Sequence, residues 1–431
     1  MGEGTPFRLL HVVPHLGGGV GRVLSSVAAL RRRSGSPVEE RFVCLEAPEK
    51  SRYVDILREA GVPVRIAPGA RELEEEIRAA DVVQAEWWNH PLTASWLAGV
   101  HGLDMRLVMW SHTSGMHYPA IPEALVAMPH AFLFTTPLSM RPEHARFGNL
   151  VAVAHSSGGF DDFPPVSRAA TSGPLRCGYL GTLNFAKLHP EILRFLSAVD
   201  LPGFVVDFHG DADSNPEWVR KSADPALGGR VRIHGFTDRP DLALRDMDLF
   251  VYLLSPLHYG TTENALLEAM ACGVVPIVLD NPVERTIVRH GETGLIVADP
   301  DGFAQAVAWL HDHPEERLRM SRAGAGEVRR TFALEETERR LSDCYARVLP
   351  LPKRAFDFRP VIGTTPASWF LSCAGRYADC FGEGPCALLP PFLFEKSKSS
   401  VFHYLRYFAE DSELQRLAGN LTRRNGHVGP S

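Results

Sequence analysis

Apolar residues fall into short blocks, separated by stretches in which they recur every three or four positions. The first block, FRLLHVV at 7–13, is uninterrupted and short, so it reads as a buried strand. A Gly-rich turn, HLGGGVGRV, follows it, and a helix is predicted from about 21 to 33. Blocks at 41–45, 62–66, 82–85 and 106–110 predict further strands, with helices at 51–60 and 73–79 between them. Alternation of this kind implies a parallel sheet covered on both faces.

Near residue 163 the texture changes to FPPVSRAATSGP, which reads as a linker. A second alternating run then begins. Strands are predicted at 176–180, 204–209, 231–234, 249–252 and 274–279, and helices at 191–198, 263–272, 301–312, 315–332 and 334–348. The expected organisation is an N-terminal domain over 1–165, a linker over 166–174, a second domain over 175–349 and an extension over 350–431. Two such halves predict two facing doubly wound domains with ligands at the carboxyl ends of the strands.

After Pro350 the pattern breaks into Pro, Gly and aromatics until Ser399. From there Val401, Phe402, Leu405, Phe408, Leu414 and Leu417 fall near one face of a single expected helix. Its modest basic content favours packing over a homodimer contact or weak peripheral membrane attachment.

Bulk properties change this picture little. A net charge of -6 argues against a nucleic-acid partner. Seven scattered cysteines show no CxxC pairing, so reduced thiols, no metal and a cytoplasmic setting are expected. No apolar run reaches the length of a spanning helix, and the start lacks a signal-peptide pattern.

The chemistry concentrates in YGTTENALLEAMACGVVPIVLDNPVERTIVRHGETGLIV, residues 259–297. Thr261 and Thr262 are capping residues before a helix expected to start at Glu263, followed by Asn264. A helix starting at a cleft presents backbone N–H groups and a positive dipole end, which suits a diphosphate. Glu268, one turn in, is placed to accept hydrogen bonds from a ribose diol.

This segment resembles the nucleotide-binding signature of the retaining glycosyltransferases of GT-B fold (glycosyltransferase family 4, group 1 type). The resemblance implies an α/β protein of two Rossmann-like domains around a cleft. It also implies metal-independent transfer of a hexosyl-type sugar from a nucleoside diphosphate to an unidentified acceptor, with retention and no separate cofactor. In that family two glutamates flank seven residues. Glu268 matches the second, the ribose ligand, while the first falls on Gly260, with Glu263 three residues out of register.

Further site residues follow from the same resemblance. In GYLGTLNFAKLHPEIL, residues 178–193, Lys187 matches a lysine that neutralises the departing diphosphate, and Thr182 stands where the family has an arginine. Gly18 and Gly19 fall in the first-domain loop that approaches the donor, and Gly235 and Phe236 where backbone atoms grip the nucleobase. His112, in WSHTSG, takes the place of a histidine that contacts the donor sugar, which makes Lys187, His112 and Glu263 the expected catalytic set. Glu86, Trp87, Trp88, Asn89 and His90 follow a strand end and are candidates for the acceptor pocket. Asp211-Ala212-Asp213 spells a metal-binding DxD, but its place after a strand favours a loop cap. Two rival functions stay open: a sugar-nucleotide epimerase of similar fold, and a partner protein that binds sugar nucleotides without catalysis.

Overall fold

The architecture was read from a computed structural model, which describes residues 6–427 except 167, 213, 214, 385, 387 and 397. The chain divides into two compact units. One holds the chain up to Gly158, the loop Tyr259–Thr262 and everything from Leu334 onward; the other holds Gly159–His258 and Glu263–Ala333.

The first unit is built on a parallel sheet. Its strands are β1 (Phe7–Val13), β2 (Val38–Cys44), β3 (Val64–Ile66), β4 (Val82–Trp87), β6 (Leu107–Ser111), β7 (Ala131–Phe134) and β8 (Leu150–Val153). They lie in the order β3-β2-β1-β4-β6-β7-β8, and a two-residue strand, β5 (Asp104–Met105), precedes β6. β1 is central, with Phe7 beside Val38 on one side and Leu9 beside Val82 on the other. β4, β6 and β7 are buried along their whole length, as expected for strands covered on both faces.

One face is sealed by the helix Leu334–Val348, whose Leu341, Cys344, Tyr345 and Val348 join Leu9, Val13, Phe42 and Trp110 in one core. The boundary at 349 therefore needs correction, because the apolar stripe of this helix belongs to the first unit. The extension continues there. β15 (Arg354–Ala355) pairs antiparallel with β5. Phe370, Phe381, Leu393 and Tyr404 are fully buried. The single helix expected near the end is two, Val401–Tyr407 and Ser412–His427. Asp411 breaks it by capping the second, accepting from the Leu414 N–H at 2.9 Å. Cys380 and Cys386 form a disulfide, against the expectation of thiols throughout. Among the described residues, no helix is long and apolar enough to cross a membrane.

The second unit repeats the plan with β9 (Cys177–Leu180), β10 (Val206–His209), β11 (Val231–Gly235), β12 (Leu249–Tyr252), β13 (Val275–Leu279) and β14 (Leu295–Val297). Their order is β11-β10-β9-β12-β13-β14, all parallel. Both units are thus Rossmann-like. Their strand order reverses between β1 and β4 in the first sheet and between β9 and β12 in the second.

Candidate functional site

In an open α/β sheet, ligands bind outside the carboxyl ends of the strands where the order reverses. In the second unit that place is made by the chain leaving β9 and the chain leaving β12. The two are stitched together: His189 N–H donates to the Leu253 carbonyl at 2.9 Å, and Ser255 N–H to the Lys187 carbonyl at 2.8 Å. This fixes Lys187 at the switch point. Its Nζ stands 3.5 Å from Glu263 Oε2 and 5.5 Å from the centre of the Tyr252 ring. The Tyr252 hydroxyl donates to the same carboxylate at 2.6 Å.

His258 completes the cluster, with Nδ1 3.6 Å from Glu263 and Nε2 3.2 Å from Glu284. Burial alone would lower its pKa, but the two carboxylates outweigh burial and raise it. A proton on His258 would set a second positive charge beside that of Lys187, facing the Glu263 and Glu284 carboxylates.

The structure alters several expected details around this cluster. Glu263 is the residue before the helix rather than its first turn; the helix is Asn264–Ala271, and Glu263 sits in the left-handed region with φ 51°. Its side chain is buried and does not cap the helix. Thr262, expected as a cap, instead accepts from Ser156 N–H at 2.9 Å and donates to the Thr135 carbonyl at 3.3 Å within the first unit. Thr261 lies in the same loop, and Gly260, where the family's first glutamate falls, has φ 59°. A side chain there would be strained.

Glu268 lies buried one turn into the helix, and Asn264 is half-buried at its start. Thr182 is half-buried, and its carbonyl accepts from the Tyr179 hydroxyl at 3.0 Å. At the end of β11, Gly235 has φ 75° and Phe236 is 59% exposed. The proposed DxD cap cannot be followed, since Asp213 lies outside the described residues.

In the first unit, His15 follows β1, Trp88, Asn89 and His90 follow β4, and His112 follows β6. Gly18 and Gly19 are exposed and open the helix Gly18–Arg33, three residues earlier than expected; Gly18 has φ 55°. Glu86, expected to line a pocket, is fully buried and binds His112 Nε2 at 2.7 Å. Trp87 is core filling. Trp88 is half-buried, its ring edge-on to His15, His90 and His112.

The extension reaches this end of the sheet, a contribution the sequence did not reveal. Tyr404 donates to Asn89 Oδ1 at 2.7 Å and so holds Asn89 in its left-handed conformation, φ 56°. Tyr407 donates to Glu46 at 2.8 Å, and the His403 ring lies 4.8 Å from that of His90. His15, Glu46 and His90 bring ligand-type atoms within 4.8 Å of one another. Yet His90 Nδ1 accepts from the Leu92 N–H at 3.2 Å, so the neutral ring carries its proton on Nε2, facing Glu46. That protonation opposes metal ligation through Nε2.

Residues 176–313 match the family model described as Glycosyl transferases group 1. The match runs from β9 through β14 of the second unit. Lys187, Glu263 and Glu268 all lie inside the matched group 1 segment.

Among curated proteins the chain is similar to the lipopolysaccharide core biosynthesis glycosyltransferase LpsE of Rhizobium meliloti, 29% identical over 153 residues, 35% of this chain and 42% of LpsE. It is also similar to the D-rhamnosyltransferase WbpZ of Pseudomonas aeruginosa, 30% identical over 165 residues, 37% of this chain and 42% of WbpZ. The match thus spans less than half the length of each relative. Among solved structures, HepE of Anabaena in complex with UDP and glucose superposes with a TM-score of 0.63 at 14% identity, over 79% of this chain and 99% of HepE. The likeness extends beyond the matched segment, and the fold of the superposed part is GT-B, with two Rossmann-like halves.

Proposed function

We propose that the protein is a glycosyltransferase that moves a sugar from a nucleoside diphosphate to an acceptor hydroxyl, with retention and without a metal ion. The observation that carries this is the position of Lys187 beside Glu263 at the β9–β12 switch point of a group 1 domain. A cation fixed at the crevice stabilises the negative charge that develops on a departing diphosphate. The N-terminus of the helix Asn264–Ala271 adds its positive dipole end. In this reading Glu268 takes the ribose, Gly235 and Phe236 take the base, and Thr182 lies beside the diphosphate. The donor is the uridine class, by likeness to HepE, whose structure holds UDP.

Thermal unfolding with UDP, GDP, ADP, CDP and their glucose conjugates, in chelator, tests the donor site. Ligand that binds only the native state raises Tm by mass action, worth about 2.7 kcal/mol at a hundred times Kd. A shift with UDP and UDP-glucose is expected. No shift with any nucleotide would overturn the reading. A shift without sugar transfer or release would favour the non-catalytic partner, and sugar interconversion without acceptor would favour the epimerase.

A further inference from the structure

His112 is held from behind by a buried chain of polar groups crossing the first sheet. Glu86, on β4, is fully buried, and its Oε2 stands 2.7 Å from His112 Nε2. Its other oxygen accepts from Gln84 Nε2 at 2.7 Å and faces His11 Nδ1 at 3.2 Å. The Gln84 amide spans two partners, its Oε1 accepting from the Tyr345 hydroxyl at 2.5 Å. His11 Nε2 lies 3.3 Å from Glu40, which also binds Arg31 Nη1 at 2.6 Å. His11 therefore sits between two carboxylates, each of which calls for a proton on the facing ring nitrogen.

Glu86 is thus surrounded by donors and acts only as an acceptor. A neutral His112 ring facing it carries its proton on Nε2 and presents a lone pair at Nδ1. That nitrogen lies 3.4 Å from Ser156 Oγ, on the side away from Glu86. We propose that Glu86, braced by His11 and Gln84, is a positioning residue that fixes the His112 tautomer so that Nδ1 accepts a hydrogen bond from a substrate hydroxyl. The proposal rests on the transferase reading for the identity of the substrate, but its tautomer can be tested without turnover.

Glu86→Gln separates shape from proton placement. The new amide oxygen must accept from Gln84 and His11, which leaves its NH2 facing His112. Nε2 then becomes an acceptor, the proton moves to Nδ1, and Nδ1 turns from acceptor to donor. This is the logic by which an amide in place of a triad carboxylate places the wrong tautomer.

The experiment is 15N NMR of histidine-labelled protein, with His112 assigned through His112→Gln, beside sugar-transfer rates from UDP-glucose. The expected results are an Nε2–H tautomer in the wild type, an Nδ1–H tautomer in Glu86→Gln, and a fall in kcat of about 100-fold in that variant. Either an Nδ1–H tautomer in the wild type or full activity with the tautomer reversed would overturn the proposal. Should Glu86→Gln fail to fold, the wild-type spectrum still decides the tautomer. Wild-type protein that shows the Nε2–H form but transfers no sugar would count against the transferase reading and not against the positioning by Glu86.

Discussion

The hydroxyl of Tyr252 and the ammonium of Lys187 converge on a single oxygen, Glu263 Oε2, at 2.6 and 3.5 Å. The carboxylate that sets the position of Lys187 is therefore itself set by the sheet, through the last residue of β12. Lys187 thus has an anionic partner within the protein itself, and under the proposed transfer a diphosphate must compete with it for the ammonium.

Lys187→Ala is accordingly expected to lower kcat by about 100- to 1,000-fold, the size seen when one donor to a developing charge is removed. Initial rates with UDP-glucose are the measurement. A variant within a few-fold of wild type would remove Lys187 from the catalytic set.

Tyr252→Phe keeps the ring under Lys187 and removes only the hydroxyl. Glu263 loses a buried donor, so the second unit should be destabilised by about 1–3 kcal/mol. Urea unfolding gives the value. A neutral substitution would show that Lys187 and His258 suffice to hold the carboxylate.

In the first unit, Arg31 is 1% exposed and depends on Glu40 and Glu338. Glu40→Ala leaves a buried guanidinium short of its main partner and should cost about 3–5 kcal/mol. Arg31→Met combined with Glu40→Leu should recover much of that loss. Denaturant midpoints of the two variants check the order, and the double variant proving worse would refute it.

His403 gives the extension a dependence on pH. Burial, reinforced by nearby His90, lowers its pKa from 6.5 to about 3. The unfolded chain then takes up the proton first, so stability from the neutral ring is complete above pH 6.5 and lost as pH falls toward 3. Tm measured between about pH 7.5 and about pH 4.5 should fall less steeply in His403→Gln than in wild type. Identical slopes would refute the assignment.

The sequence showed most of the fold where pattern and burial agree. β1 and the helix Leu334–Val348 have the limits their apolar spacing predicts. β7 and β8 escaped notice because four-residue apolar blocks, AFLF and LVAV, fit a strand and a buried helix turn equally well. The assignment of Leu334–Val348 failed for a different reason. Spacing reports which face of a helix is apolar and says nothing of which sheet will cover it.

In the site, Lys187 and Glu268 were legible through the motif, whereas the left-handed Glu263 was not, since no rule places a glutamate at φ 51°. Glu86 stood among the candidates for pocket lining, and it is fully buried instead. Its signal was present: Gln84 and Glu86 stand two apart in VVQAEW and share a face of β4, and His11 interrupts the apolar run of β1. Polar residues alternating inside otherwise apolar strands mark a buried network, and the contribution of Tyr404 and Tyr407 had no such mark.

The discontinuity of the first unit has a consequence for the order in which the protein is made. The ribosome finishes β8 long before it reaches Leu341, Tyr345 and Val348, which cover that sheet. The second unit, apart from the Tyr259–Thr262 loop, draws on one continuous stretch and can close as soon as it emerges. The half made first is thus completed last. During synthesis it is the half that carries an uncovered apolar face.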